Sequence, residues 1–517
     1  MPLVRNLSCG NPFTYSLLRR RLSASASPSA VRRERILHPA GQLYQQRRRP
    51  PTMSFDDFRL SYQTLSPGQS CPEQSVVQNG RVLRKRESGR SLFFLDVACG
   101  VGSLQVKCSS KEFESSDLFD LARSVTRGDY ISIQGFPTSS SKGQLLLCAR
   151  DCQILAPCLH PIPDALESPE IRQRQRYLDM IVNANNVHHI FRTRAKVISF
   201  IRRFLEKENF VEVETPILWG SAGGANANPF TTNSSALSSE LHLRIAPELF
   251  LKQLIIGGLD RVFELGKVFR NEGMDREHHP EFTSCEFYMA HADYLDLIPL
   301  TERLLTGITE MLGDQSKIRF ESFDRLDCLT ALNDELSKLL DSQINIVELL
   351  DEDERSVSEL KTILLAANLP LPKHVNATSI VDSLISNLVE PRCVNPTFLM
   401  NHPTLVSPLA KAHLDRPYIT ERFELFIQGQ EICNAYSELA DPDEQRRRFQ
   451  HQEMLRSQGD TEKRPCSDEF CEALEFGMPP TAGWGIGLDR LCRLLTGASH
   501  IRDVILFPAL RPKHDKN

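Results

Sequence analysis

The 517-residue chain has no apolar run approaching the roughly 18 residues that a membrane-spanning helix needs, so no span is expected. It has no C-x-x-C, and its 14 cysteines are scattered. The short-spaced pairs Cys148/Cys152 and Cys466/Cys471 lack histidines at zinc-ligand spacing. The cysteines therefore read as small buried hydrophobes in a reducing compartment, and no metal site is assigned to them. Overall positive charge is also lacking: 61 basic face 66 acidic residues, a net −5 at pH 7. Any nucleic-acid contact has to use local basic surface.

The scarcity is sharpest at the N-terminus. Residues 1–52 contain no lysine and a single acid, Glu34, against ten arginines and serines at 8, 16, 23, 25, 27 and 29. This Arg- and Ser-rich leader is expected to be a disordered organellar transit peptide, with mitochondrion as the destination and plastid or cytoplasm as alternatives. A basic tail that binds RNA, or nothing, is the competing reading. Met53 opens the folded-looking part, so a leaderless form starting there is conceivable. What remains is ordinary for a soluble globular protein, 41% apolar and 25% charged, and long enough for two or three domains.

The most informative stretch runs from Arg261 to Tyr288. Arg261 to Arg270 alternates apolar and polar residues at period two and reads as a strand; Phe282 to Tyr288 reads as its return. Between them Arg270, Glu272 and a loop tipped by His278 and His279 make an electropositive, phosphate-sized site. Phe282 offers a flat face for a base. A solvated hairpin with a charged turn is the bland alternative. The literal pattern F-R-N-E-G…H-x-P-E-F-T resembles motif 2 of the class II aminoacyl-tRNA synthetases, in the form used by the lysine and aspartate branch. That family usually has Asn after the loop histidine, where this chain has His279.

Upstream, Arg81–Leu83, Ser91–Val97, Ser103–Lys107, Tyr130–Gly135 and Leu145–Leu155 read as five short strands, with a helix near Asp117 to Ser124. That order fits an OB barrel, which binds single-stranded nucleic acid on strands two and three. Phe94 and Gln105 suit stacking and edge hydrogen bonding; Phe93 and Phe94 point to opposite faces, so one belongs to the core. The domain is similar to the N-terminal anticodon-binding domain of the same branch, which implies that Phe94, Gln105 and Asp151 face the anticodon of tRNA(Lys). A proline-punctuated linker, 155–163, leads to Arg172–Asp179, whose arginines read as a solvated helix face or an RNA-touching hinge.

Apolar residues at helical spacing between Arg192 and Glu206 predict an amphipathic helix, followed by Asn209 to Leu218. This resembles motif 1, and implies a homodimer through that helix and strand. Asn209 stands where the family has Gly, and it tolerates a left-handed turn. The region 315–395 reads as a helical insertion and lacks the proline-phenylalanine pattern expected near Phe323; Asn401 stands where the family tends to have Asp. Glu421–Ile427 and Glu431–Leu439 form a hairpin around Gln428-Gly429. Asn434, Tyr436 and Glu438 share one face, suited to a cationic ligand. Glu431 has the opposite parity, so a bulge or the strand end must turn it inward. Gly483 to Arg490 resembles motif 3, a strand entering the helix Arg490–Leu495.

Taken together the chain resembles the class II lysyl-tRNA synthetase family. The implied fold is α+β, an N-terminal OB-fold β-barrel followed by a catalytic domain on an antiparallel sheet flanked by helices. The expected domains are 1–52 (leader), 75–160 (OB fold) and 175–515 (catalytic). The resemblance implies ATP-dependent attachment of L-lysine to tRNA(Lys) through a lysyl-adenylate, with Mg²⁺ and no membrane. It assigns Arg270 and Arg490 to catalysis, and Arg270, Glu272, His278, Phe282, Glu424, Glu431 and Arg490 to ATP, with His278 on the triphosphate; the planar Arg490 cation can cover the adenine, with Phe282 beneath. Glu424 and Glu431 would hold the metal. Lysine would be held by Gly224, Glu248, Arg270, Glu286, Tyr288, Asn434, Tyr436 and Glu438, with the ε-ammonium on Tyr288 and Glu438. An aspartyl or asparaginyl enzyme should instead present cations in the pocket; a protein-lysylating relative would lack the OB domain. A non-catalytic RNA-binding or regulatory paralogue would have lost part of the set.

Overall fold

The computed structural model describes residues 49–512 apart from 101, 221, 222, 226 and 458–466. The leader reading, and Cys466, thus fall largely or wholly outside the described residues. The chain divides into two compact units, one of residues up to Ser168 with Tyr177–Asn185, the other of Pro169–Arg176 with everything from Asn186.

The first unit opens with helix α1 (Phe55–Tyr62), followed by β1 (Val76–Glu87), β2 (Leu92–Cys99), β3 (Gly102–Ser109), α2 (Ser116–Ser124), β4 (Tyr130–Ser139) and β5 (Leu145–Ala156). The strands close into a barrel in the order β1-β2-β3-β5-β4. Alternation does the sorting: Phe93, Leu95 and Val97 of β2 and Leu104, Val106 and Cys108 of β3 point inward. Each such buried Phe or Leu contributes on the order of 1.5–3 kcal/mol. Register shifts at Val82/Arg84 and Gln134/Gly135 give the curvature that closure needs. Ser115 caps α2 by accepting from the Leu118 amide, and Phe119 plugs the barrel against Phe93, ring centres 5.6 Å apart.

The second unit is built on an eight-stranded sheet. Among its elements are α3 (Ala184–Lys207), β6 (Val211–Glu212), α4 (Glu248–Ile256), β7 (Arg261–Phe269), β8 (Glu281–Ala290), α5 (Tyr294–Leu312), β9 (Asp324–Asp327), α6 (Cys328–Leu340), α7 (Glu354–Ala366), α8 (Ala377–Leu388), β10 (Thr397–Met400), β11 (Arg422–Ile427), β12 (Gln430–Ser437), α9 (Asp468–Leu474), β13 (Thr481–Gly487) and α10 (Leu488–Thr496). The sheet order is β9-β10-β11-β12-β13-β8-β7-β6, antiparallel except for the β9/β10 and β6/β7 pairs.

Val187, Ile190, Val197, Ile201 and Leu205 of α3 form a buried stripe against that sheet. The chain then reverses at Asn209, whose φ of 64° is the left-handed turn expected of it. On the same side Phe287 and Trp484 stack at 4.8 Å. Helices α6, α7 and α8 make a separate apolar cluster around Leu332, Leu360 and Leu384. Phe323 joins the sheet core by stacking on Phe398 at 5.5 Å. One expectation needs correction. Arg176 belongs neither to a solvated face nor to a hinge surface: it is 1% exposed and donates to the carbonyls of Arg502, Ile505 and Leu506.

Candidate active site

The open face of the sheet carries a cavity of about 480 Å³. Its floor is set by cross-strand rows. Glu424, Asn434, Gly485 and Glu286 lie opposite one another across β11, β12, β13 and β8, and Arg422, Tyr436, Gly483 and Tyr288 form the next row. The central strand therefore contributes glycine to each row, which keeps the floor low. At Gly483 the need is specific, because a Cβ there would collide with Glu438 Oε1 and the Tyr288 ring.

Glu431 reaches the same face by a bulge. Leu425 pairs with Cys433 but Phe426 pairs with Glu431, so Ile432 is the extra residue and both Ile432 and Cys433 turn inward. This answers the parity question left by the sequence: a mid-strand bulge turns Glu431 to the cavity.

One end of the cavity is cationic. Arg270, at the end of β7, lines it with its guanidinium carbon 5.2 Å from the centre of the Phe282 ring. Arg490 donates to the Glu431 carbonyl at 2.9 Å, to the Glu431 carboxylate at 3.1 Å and to His278 Nε2 at 3.0 Å. An arginine can only donate, so Nδ1 carries the His278 proton and gives it to Asp275, 2.8 Å away. Glu424 is buried among Arg422 and His402, which outweigh the burial and hold its carboxyl well below the usual carboxylate range. Glu272 sits exposed at the cavity rim.

The opposite end is acidic and phenolic. Glu248, 4% exposed at the start of α4, accepts from the Tyr436 hydroxyl at 2.7 Å and from Lys252 at 2.6 Å. Gly224, at φ 87°, lies against it and admits the backbone to the cavity wall. Glu438 is buried, one oxygen paired with Lys252 and Oε1 without a hydrogen-bond partner among the described residues. Burial and the neighbouring Glu248 push the Glu286 carboxyl up to about 8, although part of its surface still faces the cavity. Burial likewise raises the Tyr288 and Tyr436 phenols.

Every catalytic-domain residue proposed from the sequence lines this one cavity except Glu438, which stands just behind its wall. His279 does not point at the cavity as a free side chain. It accepts from the Ala509 amide through Nε2 at 2.9 Å and donates through Nδ1 to the Glu281 carbonyl at 2.6 Å, tying the motif 2 loop to the C-terminal segment. On the barrel, Phe94 and Gln105 lie on the outer face of β2 and β3, half-buried, with Gln105 donating to Asp96 at 3.0 Å. Asp151 is 7% exposed and its carboxylate is taken by Arg49.

Sequence reasoning missed Arg422, His402 and Lys252. Arg422 holds Asn434 Oδ1 at 3.1 Å and pairs with Glu424. Its signal was present, since it shares strand parity with Glu424 two residues on. Lys252 also had one, lying four residues after Glu248 on a helix. His402 comes from a loop after β10, and no local pattern marks it.

A class II aminoacyl-tRNA synthetase is what this sheet and cavity define, and residues 168–511 match the family described as tRNA synthetases class II (D, K and N). The chain is 42% identical over 457 residues to a probable cytoplasmic lysine–tRNA ligase of Encephalitozoon cuniculi, covering 85% of this chain and 88% of that one. It is 41% identical over 471 residues to the lysine–tRNA ligase of Fervidobacterium nodosum, covering 90% of each. Against the lysine–tRNA ligase cla4 of Cladosporium cladosporioides it is 40% identical over 484 residues, 89% of this chain and 80% of that one. The chain belongs to the lysine–tRNA ligase family.

Proposed function

We propose that the protein joins L-lysine to tRNA(Lys) in two ATP-driven steps at this cavity. The observation that carries the amino-acid choice is the acidic end, where Glu248, Glu286 and Glu438 converge with two tyrosines and Glu438 Oε1 lacks a partner among the described residues. An ammonium leaving water needs such a carboxylate, whereas an aspartate or asparagine pocket would present cations.

In the first step a lysine carboxylate oxygen attacks the α-phosphorus of ATP as the bond to pyrophosphate breaks. Arg270 spans the two anions and neutralises the charge that builds between them. His278 takes the outer phosphates, and Arg490, expected from the sequence over the adenine, is given them too because it stands on His278 and the Glu431 carboxylate; Phe282 supports the adenine and Glu272 accepts from its amine. In the second step the terminal tRNA hydroxyl attacks the adenylate carbonyl and AMP leaves. Gly224 and Glu248 hold the α-amino group, Asn434 the carboxylate, and Tyr288 with Glu438 the ε-ammonium; Glu286 and Tyr436 line the pocket. Positioning and charge neutralisation carry both steps, with no covalent protein intermediate.

The family uses ATP with Mg²⁺. Glu424 and Glu431 fit that ion: they are hard oxygen donors on one face, matching a centre completed by phosphate oxygens and water. When bound, Mg²⁺ screens the triphosphate charge. Arg422 pairs with Glu424 and Arg490 with Glu431.

The barrel face around Phe94 and Gln105 is the proposed anticodon reader, with Asp151 behind it. A homodimer through α3 and β6 is proposed as well, supported by the exposed Val211, Ile217, Leu218 and Trp219 beside them. Sedimentation at a mass twice 58.6 kDa would bear this out. Residues 1–52 are proposed to direct the chain to mitochondria, and a reporter carrying them that stays diffuse would contradict this. The test of the function itself is charging of a tRNA(Lys) transcript with labelled lysine and ATP. Lysyl-tRNA should accumulate; aspartyl-tRNA or no product would overturn the reading.

A further inference from the structure

Lys252 lies outside the cavity lining and is 0% exposed, yet it touches two of the carboxylates that shape the acidic end. It stands one helical turn after Glu248 on α4, with Nζ 2.6 Å from Glu248 Oε1 and paired with Glu438. The rings of Tyr436 and Phe470 flank it at 5.6 and 5.7 Å. We propose that Lys252 is a positioning residue for the amino acid, an internal ammonium that fixes Glu248 and Glu438 in place and leaves Glu438 Oε1 for the substrate ammonium. This rests on the lysine reading of the pocket.

The charge count supports it. With all three ionised, Glu248, Glu286 and Glu438 face one internal ammonium, so two positive charges are wanting; until a ligand brings them, burial keeps a proton on Glu286. Lysine brings two ammonium groups, while its carboxylate is met by Arg270. Three carboxylates then face three ammoniums. A pair that served packing alone would gain from apolar replacement, because burying ions costs more than their attraction commonly returns. It would also have no reason to leave one carboxylate oxygen unpartnered beside Gly483 and Tyr288.

The groups facing Lys252 and its two carboxylates come from every element packed on α4. They are Glu248 on α4 itself, Tyr436 and Glu438 in and just after β12, and Glu286 and Tyr288 on β8. Glu264 on β7 is neutralised by Arg244, and α9 presents the Phe470 ring with the Cys471 thiol, held protonated by burial. The two carboxylates hold the Lys252 ammonium above its ordinary value despite burial, so it stays charged throughout the accessible range.

The test compares the full-length parent with Lys252→Met and Lys252→Arg in lysine-dependent ATP–pyrophosphate exchange at several pH values. Lys252→Met should raise the KM for lysine about tenfold or more near neutrality and leave the KM for ATP within about twofold. The split between the lysine and ATP KM values should hold at every pH tested. Lys252→Arg should recover most of the lysine affinity. An unchanged lysine KM in Lys252→Met, or lysine and ATP KM values rising together at every pH, overturns the proposal. If Lys252→Met does not fold, calorimetry of lysine binding to the parent in two buffers decides. Up to one proton, from Glu286, should leave per lysine bound near neutrality, and no release contradicts the charge count. A parent that exchanges with no lysine sinks the pocket reading and this proposal together; an active parent with a normal variant sinks this proposal alone.

Discussion

Arg490 holds Glu431 twice, donating to its carbonyl at 2.9 Å and to its carboxylate at 3.1 Å. The same guanidinium reaches His278 of the motif 2 loop. The cation and the carboxylate therefore neutralise each other. On the proposed reading, a triphosphate would compete with the Glu431 carboxylate for Arg490.

Arg490→Ala removes the cation and leaves the acidic end untouched. The expected loss is about 1.5–3 kcal/mol of ATP interaction, the usual scale for hydrogen bonds to charged groups. It should appear as a higher KM for ATP in pyrophosphate exchange, with the KM for lysine nearly unchanged. A defect confined to lysine would remove Arg490 from the nucleotide end.

Glu286 gives a pH dependence of definite sign. Its carboxyl is raised from 4.5 to about 8, by burial first and Glu248 second. Between those values the native chain holds a proton that the unfolded chain has lost. Stability of the ligand-free protein from this group is therefore fully present at low pH, falls as pH rises through the window, and levels off above about 8. The slope is at most about 1.4 kcal/mol per pH unit. Urea unfolding should show the parent losing stability relative to Glu286→Gln across that window and running parallel above it. Parallel curves throughout would show that Glu286 is ionised in the empty pocket.

Much of the fold was legible because alternation and helical spacing are local. The five barrel strands, α2, the β7–β8 pair and the β11–β12 hairpin all lie where the periodicities put them. What was not legible depended on non-local pairing. The Ile432 bulge that turns Glu431 inward follows from register with β11, which the β12 sequence alone does not encode. Burial of Arg176 depends on carbonyls 326 to 330 residues later. His279 became intelligible only once its tie to Ala509 was seen. Of Phe93 and Phe94, the sequence required one to be core; the structure buries Phe93 and leaves Phe94 outside.

Gly483 tests the shape of the acidic end. Gly483→Ala would drive a methyl into Glu438 Oε1 and the Tyr288 ring, and both are walled in. Lysine activation should fall about a hundredfold or more, in keeping with an overpacking cost of roughly 1–3 kcal/mol plus the displaced carboxylate. Fluorescent ATP-analogue binding should stay close to the parent's. Normal lysine KM in this variant would show that Glu438 takes no part in holding the substrate.

Phe94 separates the two units functionally. Phe94→Ala should weaken charging of tRNA(Lys) by about 1–3 kcal/mol, the scale of one lost base stack. Exchange measured without tRNA should be unaffected, because the adenylate site belongs to the other unit. Equal losses in both assays would make Phe94 a structural residue of the barrel.

The central claim is that the cavity selects lysine by offering carboxylates to an ammonium. ATP–pyrophosphate exchange with each amino acid supplied separately tests it most directly. Lysine should support exchange, and norleucine, which ends in a methyl where lysine ends in an ammonium, should support it poorly because it would strand Glu438. Glu438→Gln should narrow that gap, an amide being less costly to leave unpaired than a carboxylate. Exchange driven by aspartate or asparagine, or equal exchange with lysine and norleucine, would contradict the account.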